Sequence, residues 1–396
     1  VSDDGPLEGD GSPFEGIPFL GDVFRMLQSQ GPIGWDAARQ LAVAMATEGG
    51  SEPNVDPLAR IRLEELARVA ELHVAQRTGL PTTRDGRPVT IRPATRAEWA
   101  MRAFDDLRPL LSTIATSLVA DPGAATPAPD DPEQAMLAQL LRFIGPTMTS
   151  MTTGTMVGHL AARSLGSYDL PLPRPGNELL LVQHNVQGFA DEWSIEPDEL
   201  ALWLCVHDLT FHAVLGVDHV RSRLDELLTR HAQAFRPDPE ALQQRLGEID
   251  LADPAGLGRL QAAFSDPEVL LGAVRSEEQR MLEPVISALV AVLVGYVDHV
   301  LDGVGGRLIG SYGRLTEALR RRRVESTAAD RFTERLIGLD LTRSQVERGQ
   351  RFVAGVVERG GDDALARLWS EPRTLPTPAE VDAPGLWLAR IDLPDT

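Results

Sequence analysis

The stretch LWLCVHDLTFHAVLG, Leu202 to Gly216, decides how this protein is read. It is apolar almost throughout, yet it carries His207, Asp208 and His212. Upstream, Ser194 is a candidate cap for a helix starting near Pro197, with Asp198 and Glu199 in its first turn and Gly216 as its break. The expectation is a helix over 197–215 bearing a metal site, either working or lost. The remaining sequence must decide which.

Working outward, NELLLVQHNV (Asn177–Val186) follows the proline-rich PLPRPGN and reads as a short β-type run. A second helical unit, VDHVRSRLDELLTRHAQAF, comes after Gly216. Further on, VISALVAVLVGYV (Val285–Val297) is apolar but falls short of the roughly 20 residues of a membrane span. It ends in Asp298 and His299, so a buried core helix over 285–302 is expected. Towards the N-terminus, Asp56–Gly79 reads as a long helix with Leu63, Leu66, Ala70 and Val74 on one stripe and Gly79 as its stop. Gly154 and Gly158, four apart, predict close helix packing. The segment DPGAATPAPDDPEQ (Asp121–Gln134) reads as an exposed loop and a boundary. The expected organisation is a flexible arm over 1–30, a helical region over 31–135 and a site-bearing region over 136–396.

Composition limits the partners. With 396 residues, 43% of them hydrophobic, the protein is able to bury a large core. Its formal net charge of -20 argues against nucleic acid or an anionic membrane as a partner. The basic run Arg320–Arg323 lies near Glu317 and Glu325 and reads as a solvated helix face. Cys205 is the only cysteine, which excludes an internal disulfide and a thiolate zinc cluster and fits a reducing compartment. The acidic, Gly/Pro-rich start has no charged and apolar signal pattern, so a cytoplasmic location is expected. Phe14, Phe19 and Phe24 in that arm would pack on their own domain or on a second copy.

Several stretches taken together resemble one family. They are SPFEGIPFLGDVFRML, GPIGWDAARQLA, EPNVDPLARIRLEELARVAELHVAQRTGL, LLLVQHNVQGFADEWSIEPDELALWLCVHDLTFHAV, VGYVDHVLDGVGGRL, ALRRRRVES and LIGLDLTRSQVERGQRFV. In order and spacing they resemble the actinobacterial family of zincin-like, zinc-dependent metalloproteases, also described as hydrolases associated with coenzyme F420 biosynthesis. The resemblance implies a mainly α-helical, zincin-like metallopeptidase fold with a small β element and long helical additions.

Such a site needs two histidines at i and i+4 in H-E-x-x-H, about 40° apart around the helix, so that both rings face one zinc ion. The Glu serves as general base, and a third ligand, often a Glu on a later helix, leaves one position open. Here His207 stands at the first ligand position, Asp208 at the general-base position and Phe211 at the second ligand position. His212 lies one residue further, about 140° around an ideal helix from His207, unless a π-bulge restores a shared face. The resemblance to the family's E-G-Y-x-D-H pattern puts Val294 at the third ligand position and leaves Asp298 as the carboxylate behind a ligand histidine, with His299 beside it. An Asp298–His207 pair is therefore expected, with Phe211 and Val294 filling the vacated metal volume.

The leading expectation is a pseudo-metallopeptidase that binds a protein or peptide without a cofactor. The alternative is an active zinc-dependent hydrolase using His207, His212 and Asp208 or Asp298. A second alternative is a structural or assembly protein, with an oligomer possible. Cys205, two residues before His207 and turned roughly 160° from it, reads as a buried structural residue.

Overall fold

The computed structural model describes residues 34–83, 86–119, 149–235 and 276–393. The expected N-terminal arm, the 121–134 boundary loop and the acidic connector lie outside the described residues. In sequence order the elements are α1 (Trp35–Ala46), α2 (Pro57–Thr78), β1 (Thr90–Ala94), α3 (Arg96–Val119) and α4 (149–163). Then come β2 (Glu178–Val182), α5 (Gln183–Trp193), α6 (Pro197–Val214), α7 (Asp218–Gln233) and α8 (Glu277–Leu308). Last are α9 (Tyr312–Val324), α10 (Ala328–Ile337), α11 (Arg343–Ala366), α12 (Pro378–Asp382) and α13 (Pro384–Ile391). The expectation of a mainly helical fold with a small β element is met.

The helices begin and end where local chemistry dictates. In α2 the Asp56 side chain accepts from the Leu58 N–H, Pro57 sits at the first position, and Gly79 closes the helix at φ 66°. Leu63, Ala70 and Val74 are buried as the stripe predicts, with Leu66 packed at its edge. α8 starts earlier than its apolar run suggested, because Ser276 and Gln279 form a reciprocal capping box. Its 32 residues are long and apolar enough to cross a bilayer, but 78% of the most apolar window is buried inside the protein. A helix apolar on every face belongs in a core, and α8 packs against α2, α6, α7 and α11.

Close approaches rely on small residues. A Cβ on Gly349 of α11 would fall 1.8 Å from the Ala291 carbonyl oxygen, and one on Gly295 would fall 2.4 Å from Gly349. α8 and α11 therefore touch backbone to backbone. Gly154 and Gly158 do the same for α4 against α1, where added Cβ atoms would meet the carbonyls of Ala38 and Ala42.

Two details differ from the sequence reading. Ser194 ends α5 in the left-handed region at φ 50°, while Glu196 stands at the start of α6 with no side-chain cap. The β-type run stops at Val182 and becomes helical from Gln183. Its partner is β1, paired in parallel from Thr90↔Glu178 to Ala94↔Val182. Pro93 hid β1 in the sequence; a two-stranded sheet has only edges, where proline is tolerated.

Candidate functional site

Helix α6 runs through the core, and every residue from Leu202 to Val214 is buried. Trp203, His207 and Phe211 recur every fourth residue, so their rings form one stripe. Trp203 stacks on His207 at 5.0 Å, and His207 meets Phe211 edge-to-face at 4.9 Å. Tyr168 then stacks on Phe211 at 5.7 Å with the rings 14° apart. This aromatic ladder forms one wall of a cavity of about 140 Å³, and Val294 of α8 lines the same space. His207, Phe211 and Val294, the ligand positions that the resemblance assigned, thus converge on one cavity.

Asp208 faces away from that space. It is fully buried; one oxygen accepts the Ser167 backbone N–H at 2.7 Å, and the other pairs with His207 Nδ1 at 2.9 Å. The contact fixes the His207 ring, with Nδ1 toward Asp208 and Nε2 on the opposite edge. The segment 164–170 is held in place for this contact. The Trp99 indole donates to the Gly166 carbonyl at 2.9 Å, and the Ser167 hydroxyl accepts from the Leu180 N–H of β2 at 2.8 Å. Gly166 leaves room for the carboxylate, since a Cβ there would lie 2.7 Å from an Asp208 oxygen.

The other sequence candidates go elsewhere. α6 is α-helical throughout, without the π-bulge that would have brought His212 round to His207. His212 instead points its Nδ1 to the Tyr168 hydroxyl at 3.2 Å, and it does not line the cavity. The expected Asp298–His207 pair does not form. Asp298 accepts from Gln350 Nε2 at 2.7 Å and lies 3.5 Å from Arg323, while Asp208 takes the imidazole. His299 is bound by Arg77 and Asp362 at 2.7 and 2.9 Å, Asp302 by the Tyr312 hydroxyl, and His184 is exposed. Cys205 is buried, and burial pushes its thiol up, as a structural cysteine requires.

The basic run corrects another expectation. Arg321 pairs with exposed Glu317, but Arg322 and Arg323 line the cavity. Arg322 donates to the Arg163 carbonyl at 2.6 Å and to Asp169 at 2.8 Å. Arg163 of α4 and Asp330 and Glu334 of α10 complete this charged side. Burial alone would raise the Asp169 carboxyl, but Arg322 and the N–H groups of Leu165 and Gly166 outweigh it and hold Asp169 below the ordinary range. Asp330 behaves alike: burial is overcome by bonds from His159 and Thr327, and the carboxyl is lowered. Glu334 has weaker support. Burial, together with the nearby charges of Asp330 and Asp340, raises it to about 7. A fourfold spacing of aromatic rings around His207 was a legible sign of this wall; nothing in the sequence marked Glu334.

A zinc site needs several converging lone pairs. This cavity sets its carboxylates against guanidiniums: Arg322 holds Asp169 at 2.8 Å, and Arg163 lies 3.5 Å from Asp330. Its acids are already bonded, and His207 is the one imidazole in the lining. Among the described residues no group of three or more His, Cys, Asp or Glu side chains is arranged to hold a metal ion. The residues present do not fit the ion that the fold family implies.

Residues 33–388 match the family model described as zincin-like metallopeptidase. No curated protein matches this sequence. Among solved structures, it is similar to a protein from Chloroflexus aurantiacus described as "a putative hydrolase with a novel fold". The TM-score is 0.63 at 23% identity, covering 92% of this chain and 100% of that one. At that identity the likeness speaks for the fold.

Proposed function

Since the chain belongs to the zincin-like metallopeptidase family, we propose that it is a non-catalytic member that works by binding a protein or peptide in the old substrate cleft. The observation that carries this reading is the meeting of His207, Phe211 and Val294 on one cavity. An apolar ring and an isopropyl group stand where two ligands would be needed, and one imidazole cannot hold zinc against water. The aspartate at the general-base position is turned into the core, where it accepts the Ser167 N–H and orients His207. That gives it a structural task and removes it from any water in the cavity.

The alternative ligand set of His207, His212 and Asp208 or Asp298 has little geometric support, because His207 and Asp208 bond each other while His212 turns to Tyr168 and Asp298 to Gln350. Sequence resemblance further supports assigning the protein to the actinobacterial, coenzyme F420-associated branch of the family, and the single cysteine, Cys205, fits a reducing compartment such as the cytoplasm.

Elemental analysis of protein purified without a polyhistidine tag tests the proposal. The expected result is far less than one zinc per molecule, with no peptidase activity gained when zinc is added. One tightly held zinc per molecule would overturn it.

A further inference from the structure

Helix α2 carries a second apolar stripe, on the side opposite the one buried in the core. Leu58, Ile61, Val69 and Leu72 are 71, 57, 43 and 67% exposed, and at 100° per residue they fall within a sector of about 80°. Leu63, Ala70 and Val74 lie on the other side and are buried, and α2 packs on α6, α8 and β1. A continuous apolar stripe on a helix surface marks an interaction face. We infer that this face of α2 binds the same face of a second copy of the chain, the two helices running antiparallel about a two-fold axis at Glu65.

The order of the residues points to a second copy. Leu58 and Ile61 lie seven and four residues before Glu65, and Val69 and Leu72 lie four and seven after it. The stripe therefore reads alike in both directions, and a two-fold axis at Glu65 sets Leu58 against Leu72 of the second copy and Ile61 against its Val69. The charges match in the same arrangement. Arg62 and Arg68 stand one turn to either side of Glu65, so each Glu65 comes between two guanidiniums of the other copy. Glu64 comes beside Arg68 of the other copy, since both lie on one flank of the stripe. Glu65 and Arg68 make no ion pair among the described residues. Arg62 and Glu64 make exposed ones, at 3.6 Å to Asp198 and 3.4 Å to Arg60, of the kind that contributes little and is readily exchanged. At a net charge of -20 the chain as a whole repels its own copies, but α2 sets four arginines against three glutamates and escapes that repulsion. A strongly acidic or strongly basic partner would meet its own sign here. The helix has 22 residues and is about 33 Å long, so the pair lies at the small end of specific interfaces and should form at micromolar concentration.

Sedimentation velocity of the full-length protein from about 1 to 200 μM tests the inference. A reversible dimer with a micromolar dissociation constant is expected. Ile61→Glu and Leu72→Glu leave the buried side of α2 intact, and each should weaken the dimer by at least about tenfold, with circular dichroism confirming unchanged helix content. Arg68→Glu alone should also weaken it, as should the Glu64→Arg, Glu65→Arg double variant, because each makes the stripe's flanks repel their own copy. An equimolar mixture of those two charge variants should form a one-to-one pair. A protein that stays monomeric over the whole range overturns the inference, as does a dimer that all of these variants leave unchanged. A dimer lost instead in the Phe14→Ser, Phe19→Ser, Phe24→Ser variant, and kept in the α2 variants, places the contact on the N-terminal arm and overturns it too. None of these readouts depends on metal, so the zinc measurement stands or fails separately.

Discussion

Replacing Asp208 with alanine isolates the role that the structure gives this residue. The carboxylate is fully buried and accepts the Ser167 N–H at 2.7 Å and His207 Nδ1 at 2.9 Å. Alanine leaves both donors buried without an acceptor, and each such donor costs about 1–3 kcal/mol. The sum is about 2–6 kcal/mol before any cavity cost is added. Asp208→Asn keeps the shape and one acceptor, and His207 can move its proton to Nε2 and accept from the new amide. That variant should lose about 1–2 kcal/mol, mainly the charge assistance of the original bonds. Asp208→Glu, which writes the glutamate of H-E-x-x-H at this position, adds a methylene where the Gly166 backbone already crowds the carboxylate, and should cost about 1–3 kcal/mol. Urea unfolding followed by far-ultraviolet circular dichroism at neutral pH measures all three. Should Asp208→Ala unfold within about 0.5 kcal/mol of wild type, as a neutral surface change would, or should Asn prove worse than Ala, the assigned hydrogen bonds are wrong.

Two further substitutions probe the surroundings. Gly349→Ala should destabilise by about 3 kcal/mol or more, because the new methyl would fall 1.8 Å from the Ala291 carbonyl and force α8 and α11 apart; thermal unfolding reads this, and an unchanged midpoint would refute the backbone contact. Glu334 has a folded pKa of about 7, above its unfolded value, so its contribution is present at low pH and lost as pH rises through about 7. Glu334→Gln should therefore stabilise by on the order of 1–2 kcal/mol at about pH 8 and change little near pH 5. A gain that is equal at both pH values would contradict the raised carboxyl.

Much of the scaffold could be read from local pattern. α2 declared itself by its stripe and its Pro57 and Gly79 ends, and α8 by an apolar run too continuous for a surface helix. The meeting of His207, Phe211 and Val294 followed from family resemblance combined with helical geometry. What the sequence hid was chiefly long-range. Adjacent helix residues ordinarily diverge, so nothing suggested that Asp208 would reach back to the ring of His207 while bonding Ser167. Asp298 had the expected spacing from Val294, but Gln350 and Arg323, distant in sequence, claimed it. Arg322 and Arg323 looked like a solvated run because their partners, Asp169 and Asp298, come from other elements. Ser194 had the right chemistry for a cap, and the short link between α5 and α6 used it as a left-handed stop instead.

Whether Phe211 and Val294 stand where zinc ligands would be is tested most directly by titrating zinc into metal-free wild type and into the Phe211→His, Val294→Glu double variant, with bound metal measured after dialysis. The wild type should retain none, and the double variant should take up one zinc per molecule, with its melting temperature rising on binding. Tight stoichiometric zinc in the wild type would contradict the assignment, as would a folded double variant that binds no better than the natural protein.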